Sequence, residues 1–174
     1  MSIFTYQNVG FNITPQPPIG TQVAVNLSPL ALQYFGLNIP VELSTASHYR
    51  GPPLNMPLHS IVVMAHFDTG ASLTSIDINL AKYLNLIATG NSQVRTASGN
   101  ETVSTFAIDI GFPNSGLSSF RNLPISSCNL GFDLGKNQKD LNDPRNFGLL
   151  IGRDIMSRWN IVWNGTSSTV IISD

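Results

Sequence analysis

The chain is short of cysteine, of charge and of long apolar runs, and each shortage excludes something. One cysteine, Cys128, among 174 residues rules out an intrachain disulfide. Only 11% of residues are charged, nine Lys and Arg against ten Asp and Glu, for a net charge of −1. The basic residues are scattered from Arg50 to Arg158 without a run, which argues against nucleic acid or an anionic membrane as partner. No apolar stretch reaches the length of a membrane span. The first residues, Met1-Ser-Ile-Phe-Thr-Tyr-Gln-Asn8, lack the basic-then-apolar order of a secretory signal. A cytoplasmic, reducing location is therefore expected, where the Asn-X-Ser/Thr sites at Asn12, Asn26, Asn100 and Asn164 have no bearing on glycosylation. So few charges also leave much of the surface uncharged, and a partner can cover part of it.

What is present is 42% hydrophobic residues, enough for the core of one domain. Residues 1–21 contain Pro15, Pro17, Pro18 and Gly20 and read as an irregular arm. Gln22–Leu27 alternates apolar and polar residues as a strand does, and Pro29 ends it. Residues 28–60 read as a possible insertion. Leu37–Ile39 and Val41–Leu43 suit either strand or extended loop, and Gly51-Pro52-Pro53 with Pro57 breaks regular structure. A strand is expected over 61–67, then a short helix from about Asp77, because Ile76, Leu80 and Leu84 recur at i, i+4. Strand-like runs at 93–96 and 102–106 flank Ala97-Ser-Gly-Asn-Glu101 and predict a hairpin with Gly99-Asn100 at its tip. The strand pattern continues over 107–112 and returns at 123–125. Residues 131–146 read as a polar surface loop. A strand at 147–151, a short helical segment to Trp159 and a closing hairpin at 160–172 complete the chain. The pattern is all-β, one domain over 22–174, with one or two short helices.

One feature disturbs this plain pattern. The apolar run ending at Phe67 leads straight into Asp68-Thr69-Gly70, followed by the small residues Ala71 and Ser72. A carboxylate at the end of a buried strand is costly unless something uses it. Gly70 permits a turn or close approach that a Cβ would block. Alone, such a three-residue string also fits an ordinary strand exit.

Three segments together, in order, resemble the retropepsin-like aspartic proteases. They are Ala65-His-Phe-Asp-Thr-Gly-Ala-Ser72, the hairpin around Ala97-Ser-Gly-Asn100, and Leu149-Leu-Ile-Gly-Arg-Asp154. The Asn164-Gly165 hairpin is similar to the closing hairpin of the bacterial single-domain members. The resemblance spans roughly 22–174 and implies a closed β-barrel that pairs with a second copy about a two-fold axis. It implies a catalytic loop of Asp68, Thr69 and Gly70. It further implies that His66, Ala71, Ser72, the flap residues Ala97, Ser98, Gly99 and Asn100, and Ile151 border a polypeptide substrate. Thr69 would bond across the axis, the Gly70 carbonyl would hold substrate backbone, and Leu150 and Ile151 would pack under the loop. Gly152 would let the chains cross closely. No cofactor and no metal are implied. Retroviral members have Asp where Ser72 stands, paired to the arginine of the last motif, so Arg153 is expected to take another partner, Asp77 or a carbonyl.

The chemistry of that family needs two carboxylates sharing one proton around a water. No other Asp or Glu in the chain precedes Thr-Gly or Ser-Gly, so the second carboxylate is expected from a second Asp68 in a homodimer. The expected function is an aspartic endopeptidase. A catalytically silent module of the same fold that binds extended peptides is the alternative, and a purely structural β-domain a third.

Overall fold

The computed structural model describes residues 2–7, 10–14, 22–26, 29–46, 60–96 and 99–174. Two sheets hold all of the described strands. The larger is built from β4 (Asn38–Thr45), β5 (Ser60–Phe67), β6 (Ser75–Asp77), β7 (Gly90–Thr96), β8 (Gly99–Gly111), β9 (Phe120–Cys128) and β10 (Phe147–Ile151). Its order is β4-β5-β10-β6-β9-β8-β7, and β8 also pairs with β4. That last pairing, Glu42 opposite Gly111 through Thr45 opposite Ile108, joins the two ends into a closed barrel of six strands. β7 stays outside the ring, attached to β8 alone.

Alternation along the strands fills the barrel. Val63, Ala65 and Phe67 of β5 point inward with Ile39, Val41 and Leu43 of β4, Ile108 and Ile110 of β8, and Leu149 and Ile151 of β10. Most of these have no accessible surface, and burying each Val, Leu or Ile side chain stabilises the fold by about 1.5–3 kcal/mol. At one side Trp159 packs among Phe67, Phe112 and Phe120, with ring centroids 5.1–6.1 Å away.

The second sheet has the order β11-β12-β3-β1-β2, from β1 (Ser2–Gln7), β2 (Gly10–Thr14), β3 (Gln22–Asn26), β11 (Asn160–Asn164) and β12 (Thr169–Ser173). Val170 and Ile172 of β12 are buried in the same core as the barrel residues. Residues 2–7 and 10–14 pair antiparallel, so the arm read as irregular carries a hairpin; its prolines lie beyond that pairing.

Nor is β4 part of an insertion, because it closes the barrel, and α1 (Pro29–Phe35) leads into it. Pro29, read as a strand stop, opens this helix, where its missing N–H costs nothing. Residues 47–59 lie outside the described residues. Two more short helices, α2 (Ile78–Tyr83) and α3 (Leu134–Lys139), begin after Asp77 and Asp133, each of which accepts a backbone N–H in the first turn. α3 falls within the stretch read as a loop. The fourth helix is α4 (Arg153–Met156). Among the described residues no helix is long and apolar enough to cross a membrane.

Candidate active site

The site arises from the position of β10. β5 and β6 are consecutive strands, yet they do not pair; β10 lies between them, parallel to β5 and antiparallel to β6. The segment 68–74 must therefore step over the end of β10, and Asp68 stands at its start. Asp68 N–H donates to the Ile151 carbonyl at 3.1 Å, so the first residue of the loop is tied to the last of β10.

Within the loop, the Asp68 carboxylate is held from its own backbone. Oδ1 accepts the Gly70 N–H at 2.7 Å, and the Asp68 carbonyl accepts the Ala71 N–H at 3.1 Å. A Cβ on residue 70 would lie 3.0 Å from that same Oδ1, which accounts for glycine there. The carboxylate is half-buried, while Thr69 and Gly70 are exposed.

The segment after β10 braces the loop from below. At Gly152 the chain passes so near Leu73 and Thr74 that a Cβ would come within 2.5–2.9 Å of their backbone atoms. Arg153 then reaches back: Nη1 donates to the carbonyls of Thr69 (2.6 Å) and Gly70 (3.1 Å), and Nη2 to Ser72 Oγ (2.8 Å). Its backbone N–H donates to the Ala71 carbonyl, and the Asp154 N–H to that of Ser72. Thr74, fully buried, receives the Gly152 N–H on Oγ1 and gives its own hydroxyl and N–H to Asp154. The carbonyl alternative for Arg153 holds and the Asp77 one does not. Asp77 is buried elsewhere, accepting N–H groups from Asn79, Leu130 and Phe132.

Residues 58–126 match the family described as aspartyl protease. The match runs from the approach to β5 through the Asp68 loop and the β7–β8 hairpin into β9, and stops short of β10 and Arg153. Together with the closed six-stranded barrel, it bears out the likeness to retropepsin-like aspartic proteases and their fold. No curated protein matches the chain. Solved structures similar to it include the following three. A retropepsin-like aspartic protease from Rickettsia conorii is 15% identical with a TM-score of 0.45, over 86% of this chain and 97% of that one. The retroviral protease-like domain of Ddi1 from Leishmania major is 13% identical with a TM-score of 0.40, over 74% and 80%. The foamy viral protease–reverse transcriptase, in complex with an RNA/DNA hybrid, is 14% identical with a TM-score of 0.39; the likeness covers 71% of this chain but 12% of that one.

The residues expected to border a substrate fall into four groups. Ala71 and Ser72 serve the loop itself, since their carbonyls, and Ser72 Oγ, accept bonds from Arg153 and Asp154. Ile151 is fully buried and faces the barrel interior, so its side chain supports the loop instead of lining a surface. The register shows why: Ile151 is opposite Phe67, an inward residue, whereas Leu150 is opposite His66. Leu150, half-exposed, is thus the β10 residue on the face of His66. The Leu149-Leu-Ile151 run gave no alternation from which its parity could be read. In the hairpin, Gly99 and Asn100 pair with Thr96 and Arg95, so neither stands at an unpaired tip, and Ala97 and Ser98 lie outside the described residues.

His66 is held on three sides. Its Nδ1 lies 3.1 Å from Asn38 Oδ1, and its ring stacks on Phe147 at 4.9 Å. A Cβ on Gly36 would lie 3.0 Å from its Cε1. Burial pulls its pKa below the usual 6.5, against the opposing attraction of Asp68. Among the described residues no group of three or more His, Cys, Asp or Glu is placed to hold a metal ion.

Proposed function

We propose that this chain is an aspartic endopeptidase that works as a homodimer, with one active site built from the Asp68 loops of two copies. The observation that carries the reading is the braced, outward-facing Asp68 loop. Its carboxylate is oriented by Gly70 N–H, its backbone is clamped by Arg153, and Thr69 beside it is exposed. A chain with one such loop needs a second copy to supply the other carboxylate, and a two-fold axis between the loops provides it. A water held between the two would lose a proton to the ionised carboxylate as its oxygen attacks the scissile carbonyl carbon. The protonated carboxyl would meanwhile hydrogen-bond to the carbonyl oxygen. Collapse of the tetrahedral intermediate breaks the C–N bond, and the proton passes to the leaving amine. A polypeptide substrate and a cytoplasmic setting belong to the same reading.

Asp68→Asn keeps the size of the side chain and removes its ionisation, so cleavage of a peptide mixture is expected to stop while fold and dimer remain. Activity comparable to wild type in that variant overturns the proposal. Mixing wild-type and Asp68→Asn chains, with exchange verified by labelled subunits, tests the shared site. An equal mixture should keep about one quarter of the activity under random pairing, where independent monomers would keep about half.

A second reading has one observation in its favour. The Gly70 carbonyl, which the family resemblance assigns to substrate backbone, already accepts from Arg153. A silent module would bind extended peptides and cut none, and the same peptide mixture distinguishes the two.

A further inference from the structure

The Asn164-Gly165 pair in the closing hairpin carries chemistry that the peptidase reading does not use. β11 and β12 run antiparallel as far as Asn164 opposite Thr169, and residues 165–168 form the turn between them. Asn164, Gly165, Thr166 and Ser167 are all exposed. Asn164 is the only asparagine of the chain that precedes glycine.

An asparagine side chain in that setting is open to attack by its own backbone. The nitrogen of the next residue bonds to the side-chain Cγ, the Cγ–Nδ2 bond breaks, and ammonia leaves. The product is a cyclic imide. Water then adds to either of its carbonyls and opens the ring, which gives aspartate or isoaspartate.

Each participant in this reaction has a place at the turn. The nucleophile is the Gly165 nitrogen, whose N–H donates to no group among the described residues. The acceptor is the Asn164 amide. Its Oδ1 takes the Ser167 N–H at 3.1 Å, which fixes which end of the amide faces the turn. Negative charge builds on that oxygen as the nitrogen adds to Cγ, and the Ser167 N–H is placed to stabilise it. The leaving group is Nδ2, which has no protein hydrogen bond to break among the described residues. Space is open as well, because a Cβ built on Gly165 would meet no atom within 4 Å. Glycine itself puts no Cβ beside the attacking nitrogen and lets the backbone swing toward Cγ.

The two asparagines that precede serine lack these conditions. At Asn114 the nucleophile is engaged, since the Ser115 N–H donates to the Phe112 carbonyl at 3.2 Å and Ser115 is buried. Asn91 and Ser92 lie within β7, paired residue by residue with β8.

We infer that Asn164 is a site of spontaneous modification, where the folded chain loses ammonia, takes up water and becomes aspartate or isoaspartate. Either product puts a negative charge next to Trp163, which is exposed on β11 at the edge of its sheet. Isoaspartate also routes the main chain through the former side chain. The added methylene falls where β11 meets the turn and breaks the pairing of residue 164 with Thr169.

The test is incubation of the full chain at mildly alkaline pH, then digestion and mass spectrometry. Exchange of the amide NH2 for OH adds about one dalton to the peptide holding residue 164. Isoaspartate is counted separately by enzymatic methylation of its carboxylate. Residue 164 is expected to convert at least about ten-fold faster than Asn91 and Asn114 in the same digest, and faster still as pH rises, because the nitrogen attacks after losing its proton. Gly165→Ala places a Cβ beside that nitrogen and should slow the conversion about ten-fold. Alanine fits there without strain, since Gly165 is not in the left-handed region. Equal rates at the three asparagines, or a Gly165→Ala chain that converts as fast as wild type, overturn the inference. None of these readouts depends on peptidase activity.

Discussion

Thr74 and Asp154, 80 residues apart, bind each other through two hydrogen bonds, N–H to Oδ2 at 3.0 Å and Oγ1 to Oδ1 at 2.8 Å. The same Thr74 oxygen accepts the Gly152 N–H at 3.1 Å. Replacing Thr74 by Val keeps the shape and removes the hydroxyl. It leaves a buried N–H and one carboxylate oxygen short of a partner. A loss of about 2–3 kcal/mol is expected, and the urea midpoint of unfolding measures it.

Two glycines on either side of β10's end should respond differently to a methyl group. At Gly152 the added Cβ meets backbone atoms of Leu73 and Thr74, which cannot move without displacing the Asp68 loop. At Gly148 the nearest atom, also at 2.5 Å, is Cδ2 of Leu80, the end of a side chain that can rotate away. Gly152→Ala is therefore expected to cost about 3 kcal/mol and Gly148→Ala roughly half of that or less. Equal losses in denaturant titrations would mean that the crossing at 152 is looser than its distances imply.

Arg153 is exposed, so its value lies in geometry more than in burial. It spans two carbonyls and a hydroxyl with two nitrogens, which a lysine ammonium cannot do from one point. For Arg153→Lys, kcat is expected to fall about ten-fold or more, with the unfolding midpoint shifted by less than about 1 kcal/mol equivalent. A variant with full turnover would show that the loop keeps its shape without the clamp.

The lowered pKa of His66 has a stability consequence. Below its unfolded value of 6.5 the unfolded chain binds the proton more readily than the folded one, so stability rises with pH through that window. The contribution is complete above pH 6.5 and is lost as pH falls toward the folded pKa. Wild type should lose stability on acidification through this range more steeply than His66→Gln, as denaturation curves taken at several pH values would show. Parallel pH dependence in the two proteins would contradict the burial-driven shift.

The Asp68 loop and its brace were legible because Asp68-Thr69-Gly70 and Gly152-Arg153-Asp154 combine residue types that strand exits rarely need. The helix start near Asp77 and the 93–106 hairpin were also readable, since apolar periodicity and hairpin pairing of neighbouring runs are local. Less legible was whatever depends on pairing between distant segments. Nothing near Leu149 tells that β10 inserts between β5 and β6, and that insertion fixes Leu150, not Ile151, on the outer face. β4 was obscured by Pro40, which argues against an interior strand; β8 pairs only with Glu42–Thr45, so Pro40 lies beyond that ladder. α3 hid among polar residues because it has no apolar stripe, and its buried Asn137 is anchored instead by donating to the Val62 carbonyl.

The crossing of Gly152 over Leu73 and Thr74 does, in a chain with one cysteine, the job a crosslink would do elsewhere. It fastens the two ends of a loop of 80 residues at a single point. A disulfide would constrain the unfolded chain as well. This fastening exists only once the chain has folded, and its closure entropy must be met each time by the contacts at the junction. Contacts of such long sequence separation tend to form late. A ribosome-bound chain completed only to residue 150 would already carry Asp68, yet lack Gly152, Arg153 and Asp154 that give its loop a shape. The loop thus acquires its working form at the end of folding, when the chain has met itself again.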